Sequence, residues 1–398
     1  MTPSSIFTAD SGFPRRWPIE YLANSSPPGA AMQFGLIYEL STPRPFTRET
    51  QKAVYEHAIE QVVLAEQLGF SSVWCVEHHF LEEYSHSSCP EMFLTAVARA
   101  TSKIRVGFGI ATCVPTFHHP IRWAEKAAFL DILSGGRVEF GTGRSSTWNE
   151  LGGFNAVIDD TKKTWDEYIR VIPQMWMNER YGYTGQYHTM PERNVLPKPW
   201  QDPHPPMWVA VTAPGTELDA ADRGMGALIL SISDVERNVP RIAAYRERIK
   251  HCNPVGAFVN DQIAIANWLY CHSDNAVAKQ RGDELIGTFG YMAGQTVEVS
   301  EAYPANNYTA LGLLGSLRAD PSAPGEQKLP ASGLCFGNPT TILETCRRWE
   351  AAGADQLVFM IQAREHLSQP EVLDSLKLFG REVLPHFNDV PRAKAVGA

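Results

Sequence analysis

From residue 32 onward, short apolar runs alternate eight times with segments of helical periodicity, and this alternation limits the folds open to the chain. The strand-like runs are 32–39, 71–76, 103–112, 137–141, 207–212, 227–231, 262–272 and 356–361. The helix-like segments are 50–68, 89–100, 120–133, 161–177, 215–223, 235–251, one capped by Asn338-Pro339 and ended by Gly353, and 370–383. In the first of these, Val54, Ala58, Val62 and Ala65 share one face and Gly69 closes the helix. Pro120 suits a first helical turn, and Gly135-Gly136 suits the position just past an end. Alternating βα units imply a parallel sheet, and eight of them imply a closed (β/α)8 TIM barrel, an α/β fold. An open doubly wound sheet is the competing architecture. Residues 1–30, rich in Ser, Pro and Gly, read as an N-terminal extension, and 290–335 as an insertion before the last βα unit. The expected organisation is therefore an extension followed by one barrel domain over 31–390.

Charge and cysteine content exclude several function classes. A net charge of −9 disfavours nucleic acid and anionic membranes as main partners. No apolar run is long enough to cross a bilayer, and the first residues, broken by Pro3, Gly12 and Pro14, do not read as a signal peptide. Seven scattered cysteines with no C-x-x-C pair fit free thiols in a reducing compartment, so a cytoplasmic location is expected.

In such a barrel the loops at the C-terminal strand ends carry the chemistry. The second strand-like run, Val73 to Val76, stops at Glu77-His78-His79. The third ends in Thr112-Cys113-Val114-Pro115-Thr116, before His118-His119-Pro120. The fourth ends in Gly141-Thr142-Gly143-Arg144-Ser145-Ser146, the fifth in Val211-Thr212-Ala213-Pro214-Gly215-Thr216, and the sixth in Ser231. Arg144 follows two glycines that permit close backbone approach, while Thr212, Gly215 and Thr216 offer hydroxyls and N–H groups at a helix start. Together they point to a phosphate-bearing cofactor, because an arginine fork matches phosphate oxygens. Trp74, Phe80, Tyr84, Phe117, Trp148 and Phe154 crowd the same rim and would suit an isoalloxazine or an apolar substrate, with core packing the reading for Trp74. A metal site is not expected: adjacent histidines on extended chain point to opposite sides, and the last strand, Phe359-Met360-Ile361-Gln362, ends without an aspartate.

These residues resemble the flavin-dependent, bacterial-luciferase-like monooxygenases. The resemblance covers residues 32–235 and 338–383. It rests on Glu66-Gln67-Leu68-Gly69-Phe70 leading to Glu77-His78-His79-Phe80, and on Pro115-Thr116 before His119-Pro120. Ser134-Gly135-Gly136-Arg137 leading to Phe140-Gly141-Thr142-Gly143-Arg144 completes it. It implies a barrel that binds reduced FMN, or in one branch F420, at its rim. Carried over by position, Arg144 and Thr212 resemble the flavin-phosphate residues, His78 the catalytic histidine and His79 its active-site neighbour. Glu77 could orient an imidazole. Ile110-Ala111 falls at a strained peptide supporting the flavin ring. Gly143 and Val211 stand where luciferase has a cysteine and a glutamate, which argues against light emission and long-chain aldehydes.

The implied activity is a two-component monooxygenase, with FMNH2 supplied by a separate flavin reductase, O2 as co-substrate and an apolar small molecule as substrate. Hydroxylation and Baeyer–Villiger insertion are both open. His78 would act as general acid or base, and a homodimer is the family's usual state. The competing readings are an F420-dependent oxidoreductase, a non-catalytic flavin-binding subunit and a metal-dependent barrel hydrolase.

Overall fold

Parallel strands buried on both faces need a continuous apolar sequence, and the eight runs that satisfy this requirement close into a barrel. The protein is described by a computed structural model, over residues 31–300 and 331–387. The chain begins with β1 (Gln33–Tyr38), α1 (Arg48–Leu68), β2 (Ser72–Cys75), α2 (Pro90–Ala100), β3 (Arg105–Thr112), α3 (Pro120–Ser134) and β4 (Val138–Gly143). After α4 (Trp148–Gly153) and α5 (Thr161–Met177) comes an antiparallel hairpin, β5 (Tyr181–Thr184) with β6 (Thr189–Arg193). The barrel resumes with β7 (Met207–Val211), α6 (Thr216–Asp222), β8 (Gly226–Leu230), α7 (Val235–Arg248), β9 (Ile263–Cys271) and α8 (Asn275–Ser300). A short β10 (Cys335–Gly337), a helix Pro339–Ala352, β11 (Gln356–Met360) and a helix Gln369–Glu382 complete it.

Strand pairing runs β1-β2-β3-β4-β7-β8-β9-β11 and returns to β1, every pair parallel. The expected closed barrel is therefore the fold, not the open sheet. Its interior is filled with side chains. Trp74 and Trp208 meet edge to face with ring centroids 5.3 Å apart, so Trp74 is core, as its place inside a strand suggested. Helix ends follow the chain's punctuation. Thr47 caps α1 by accepting from the Thr50 N–H, and Gly69 and Gly135 end α1 and α3 in the left-handed conformation.

Three expectations change. The stretch 180–206, where the sequence shows neither a strand-like run nor helical periodicity, contains the β5–β6 hairpin. Its turn is anchored by Glu167 of α5, which accepts the Gln186 and Tyr187 N–H groups, a tertiary contact without local signature. α4 was not anticipated, since its six residues end in two glycines. The insertion expected from 290 instead begins inside α8, which runs to Ser300. The extension 1–30, and 301–330 of the insertion, lie outside the described residues.

β4 also runs two residues further than its apolar pattern, to Gly143, because of what its neighbour does. Phe108 of β3 pairs with Phe140, but Ala111 pairs with Thr142, so β3 carries one extra residue. This is a β-bulge at Gly109 and Ile110. A Cβ on Gly141 would stand 2.1 Å from the Phe108 carbonyl oxygen, and one on Gly143 would stand 2.7 Å from Ile110 Cγ1. Gly141→Ala should therefore lower stability by about 1–3 kcal/mol, the usual cost of overpacking against an unyielding neighbour. Gly287→Ala, inside α8 with nothing near its added methyl group, should raise stability by about 0.5–1 kcal/mol. Urea midpoints of the two variants check both signs.

Candidate active site

The strand ends enclose a cavity of about 1510 Å³, measured out to its open mouth. Its middle is apolar, walled by Ile37, Ile110, Val209, Leu228, Leu230 and Met360. On the β4–β7 side stand Arg144, Ser145, Ser146, Lys162, Thr212 and Thr216. On the β1–β2 side stand Glu39, His78, Tyr84 and the edge of Glu77. The β3 bulge turns Gly109 and Ile110 into the cavity between them.

The cationic wall comes from two elements. Arg144 leaves β4, and its Nη1 donates to Thr161 Oγ1 at 3.1 Å. Lys162, in the first turn of α5, reaches Asp219 of α6 at 2.7 Å. Two cations and several hydroxyls on one wall are the donor set that an anionic phosphate requires. The glycines before Arg144, read from sequence as room for a phosphate, make room instead for the Phe108 carbonyl and Ile110 of β3.

The opposite wall is organised by buried carboxylates. Glu150, carried on α4, accepts from His78 Nδ1 at 2.9 Å, the His79 N–H at 3.0 Å, and the Ser145 and Thr147 hydroxyls at 2.7 Å each. Ser145 takes φ 61°, a left-handed conformation uncommon outside glycine, while making that bond. Burial alone would strip the His78 ring of its proton, but Glu150, Glu39 and Glu77 outweigh it and push its pKa up to about 9. With its pKa near 9 the His78 ring carries a proton at neutral pH. Glu39 directly follows β1, and its Oε2 lies 3.6 Å from His78 Nε2.

Glu77 borders the cavity but its side chain is fully covered. It accepts from His118 Nε2 at 2.7 Å, His79 Nε2 at 3.2 Å and the Thr112 N–H at 2.6 Å. Burial would raise its pKa, yet these donors bring it down to about 2. Glu77 thus fixes two imidazoles, as expected of an orienting group, but they are those of His79 and His118. His79 itself does not line the cavity. Its ring meets Phe154 and Phe117 edge to face, at 4.8 and 5.6 Å between centroids.

Four further sequence candidates lie off the cavity wall. Ala111 is buried behind the bulge, one residue past Ile110. Val211 is fully buried. The Gly215 N–H donates to Glu217 Oε2 at 3.0 Å, and the Ser231 hydroxyl accepts from Asn238 at 2.9 Å. The structure brings together His78, Arg144, Thr212 and Thr216, and adds Glu39, Glu150 and Lys162, which sequence reasoning missed. An acidic residue ending an apolar strand was a usable signal for Glu39. Glu150 and Lys162 had none. Among the described residues no three His, Cys, Asp or Glu side chains group as a metal site, and no helix is long and apolar enough to cross a membrane.

A closed parallel barrel with its cavity at the C-terminal strand ends is the architecture of a TIM-barrel enzyme. Within that class the chain belongs to the luciferase-like monooxygenase family, whose pattern matches residues 32–356. It is 23% identical over 363 residues to the oxygenase component of the flavin-dependent trigonelline monooxygenase of Acinetobacter baylyi, covering 90% of this chain and 96% of that one. It is 24% identical over 338 residues to limonene 1,2-monooxygenase of Rhodococcus erythropolis, covering 83% and 81%. The fold matches the oxygenating constituent of 3,6-diketocamphane monooxygenase of Pseudomonas putida, a type II Baeyer–Villiger enzyme solved with FMN. That likeness has a TM-score of 0.70 at 20% identity, over 91% of this chain and 100% of that one. It also matches an F420-dependent secondary alcohol dehydrogenase, with a TM-score of 0.67 at 18% identity, over 90% and 100%. Of these four, the trigonelline enzyme is named as flavin-dependent, the diketocamphane enzyme was solved with FMN and the alcohol dehydrogenase is named as F420-dependent.

The low pKa of Glu77 carries a stability consequence. A carboxylate depressed to about 2 contributes stability that is present above pH 4.5 and lost as pH falls through 2. Glu77→Gln should cost about 3–5 kcal/mol at pH 7, the price of leaving buried partners unpaired. It should also flatten the stability profile between pH 4.5 and 2. Guanidinium unfolding of both proteins across that range measures the two effects.

Proposed function

We propose that this chain is the oxygenase component of a two-component flavin monooxygenase, acting on an apolar organic substrate. The observation that carries the reading is one cavity with Arg144 and Lys162 on one wall, His78 on the other and apolar strand residues between. Reduced FMN fits this donor set: its phosphate would meet Arg144, Lys162, Thr212 and Thr216, and its ring would lie along the apolar middle. Bound there, it would supply the two electrons that let O2 react with an organic compound. The chain's own part is to hold the phosphate, to exclude water with Ile37, Leu228, Leu230 and Met360, and to present a proton on His78 Nε2. Glu150 keeps the imidazole oriented and charged. The relative named as an oxygenase component supports a separate reductase as the source of FMNH2, and the limonene enzyme supports an apolar substrate. Hydroxylation and Baeyer–Villiger insertion use the same set of groups.

Anaerobic titration tests the assignment. Arg144→Ala should weaken reduced FMN binding about 10- to 100-fold, the value of one charge-assisted contact set of 1.5–3 kcal/mol. Unchanged affinity would remove Arg144 from the phosphate site. Titration with F420 beside FMN decides between the two cofactors, since the same cationic wall would accept either phosphate. His78→Ala should keep reduced FMN affinity within a few-fold and lower the yield of oxygenated product about 100-fold or more, scored on a panel of apolar test compounds.

A further inference from the structure

The cavity holds a second acidic group beside His78 that the reading above does not use. The Glu39 carboxylate, just past β1, stands opposite the imidazole, with Oε2 3.6 Å from His78 Nε2. That oxygen is buried and has no hydrogen-bond partner. The other oxygen, Oε1, accepts from the Tyr84 hydroxyl over a long 3.4 Å. A buried carboxylate with so little support contrasts with Glu77 and Glu150, each of which is held by three or more donors.

The far side of the imidazole is fixed. Nδ1 donates to Glu150, and Glu150 is itself anchored by the His79 N–H, Ser145 and Thr147. The proton on Nδ1 therefore has nowhere to go. The ring nitrogen left to exchange a proton is Nε2, which faces Glu39 Oε2.

We propose that Glu39 is a catalytic acid of this site, delivering its carboxylic proton to the reduced oxygen that leaves the cavity, with His78 reloading it. The proposal rests on the monooxygenase reading. Two electrons from reduced flavin reduce O2; one oxygen atom enters the substrate and the other leaves as water, or both leave as hydrogen peroxide when no substrate is present. The Glu39 O–H bond breaks as a new O–H bond forms on the departing oxygen. His78 Nε2–H then returns a proton to the carboxylate; of the two protons released when FMNH2 becomes oxidised, one completes the departing water or peroxide and the other restores His78, so the protein ends unchanged.

The groups facing Glu39 agree with this role. They are His78 at the end of β2, Tyr84 from the loop that follows, Glu150 from α4 and Cys75 within β2, while α8 contributes the neutral Thr296 to the same cavity. Burial is the largest influence and raises the Glu39 pKa; His78 and Tyr84 lower it and Glu150 raises it, leaving it at about 7. A carboxyl group raised to that value is loaded below pH 7 and empty above it, whereas His78 keeps its proton until about pH 9.

The test needs no substrate. Wild type, Glu39→Gln and Glu39→Asp are compared in two ways: infrared difference spectra of the flavin-free protein between pH 6 and 8, and reoxidation of bound reduced FMN by O2 across the same range. Wild type should show a protonated-carboxyl band that disappears through pH 7, and its reoxidation should slow through the same window. Glu39→Gln should lose the band and reoxidise about 100-fold more slowly, with no pH dependence near 7. Glu39→Asp should recover part of the rate and keep an ionisation. Wild-type rate and profile in Glu39→Gln, or a wild-type spectrum with no carboxyl titrating near pH 7, would overturn the role of Glu39 alone. Failure of wild type to bind reduced FMN would overturn the functional reading itself, and the infrared comparison would still report whether Glu39 holds the proton.

Discussion

The site depends on one buried carboxylate, that of Glu150. Removing a charged carboxylate from water is costly unless nearly every lone pair finds a donor. Glu150 meets the condition with an imidazole, a backbone N–H and two hydroxyls. Those donors come from two separate strand ends, His78 and His79 after β2, and Ser145 and Thr147 after β4. Satisfying the one charge therefore ties the imidazole to the loop that carries Arg144. It also explains why so short a helix as α4 exists: Thr147 caps it and it delivers Glu150 to the cluster. The two walls of the cavity are thus set by the same interaction.

Much of the barrel could be read from period and punctuation, because strands buried on both faces and helices with one buried face leave different patterns. Pro120, Gly69, Gly135 and Asn338 mark helix ends by local chemistry alone, and the structure uses each in that way. What local pattern missed depends on contacts made at a distance. The β5–β6 hairpin is held by Glu167, and α4 by its capping threonine and the Glu150 cluster. β4 is longer than its apolar run because the bulge in β3 pairs with glycines that look like a break.

The same division holds at the site. His78, Arg144 and Thr212 were legible because each follows an apolar strand directly, in a cluster of polar residues. Gly215 and Ser231 follow strands too, yet their polar groups are taken by Glu217 and Asn238. A strand end is therefore not a sufficient position. Glu39 also ends a strand, but it stands alone between Tyr38 and Leu40 and forms no polar cluster in sequence. Lys162 sits in a helical first turn, where a lysine ordinarily faces solvent, and Glu150 lies 72 residues from the imidazole it charges. Their roles arise only when the barrel closes.

Three glutamates lie near one imidazole, and their surroundings make them different. Glu77 has two imidazoles and an N–H, and its pKa falls to about 2. Glu150 has four donors, and its pKa is lowered despite burial. Glu39 has a distant imidazole and one long hydroxyl contact, so burial prevails and the pKa rises to about 7. The first two are permanent anions, and Glu150, with Glu39 and Glu77 adding to it, holds the His78 pKa at about 9. Only the third changes charge near neutral pH. Since each proton-binding equilibrium is set by donor count against burial, a cavity that must hold its geometry and also move a proton needs both kinds of carboxylate. Glu150 fixes the imidazole, and the poorly supported Glu39 is left free to trade a proton with it.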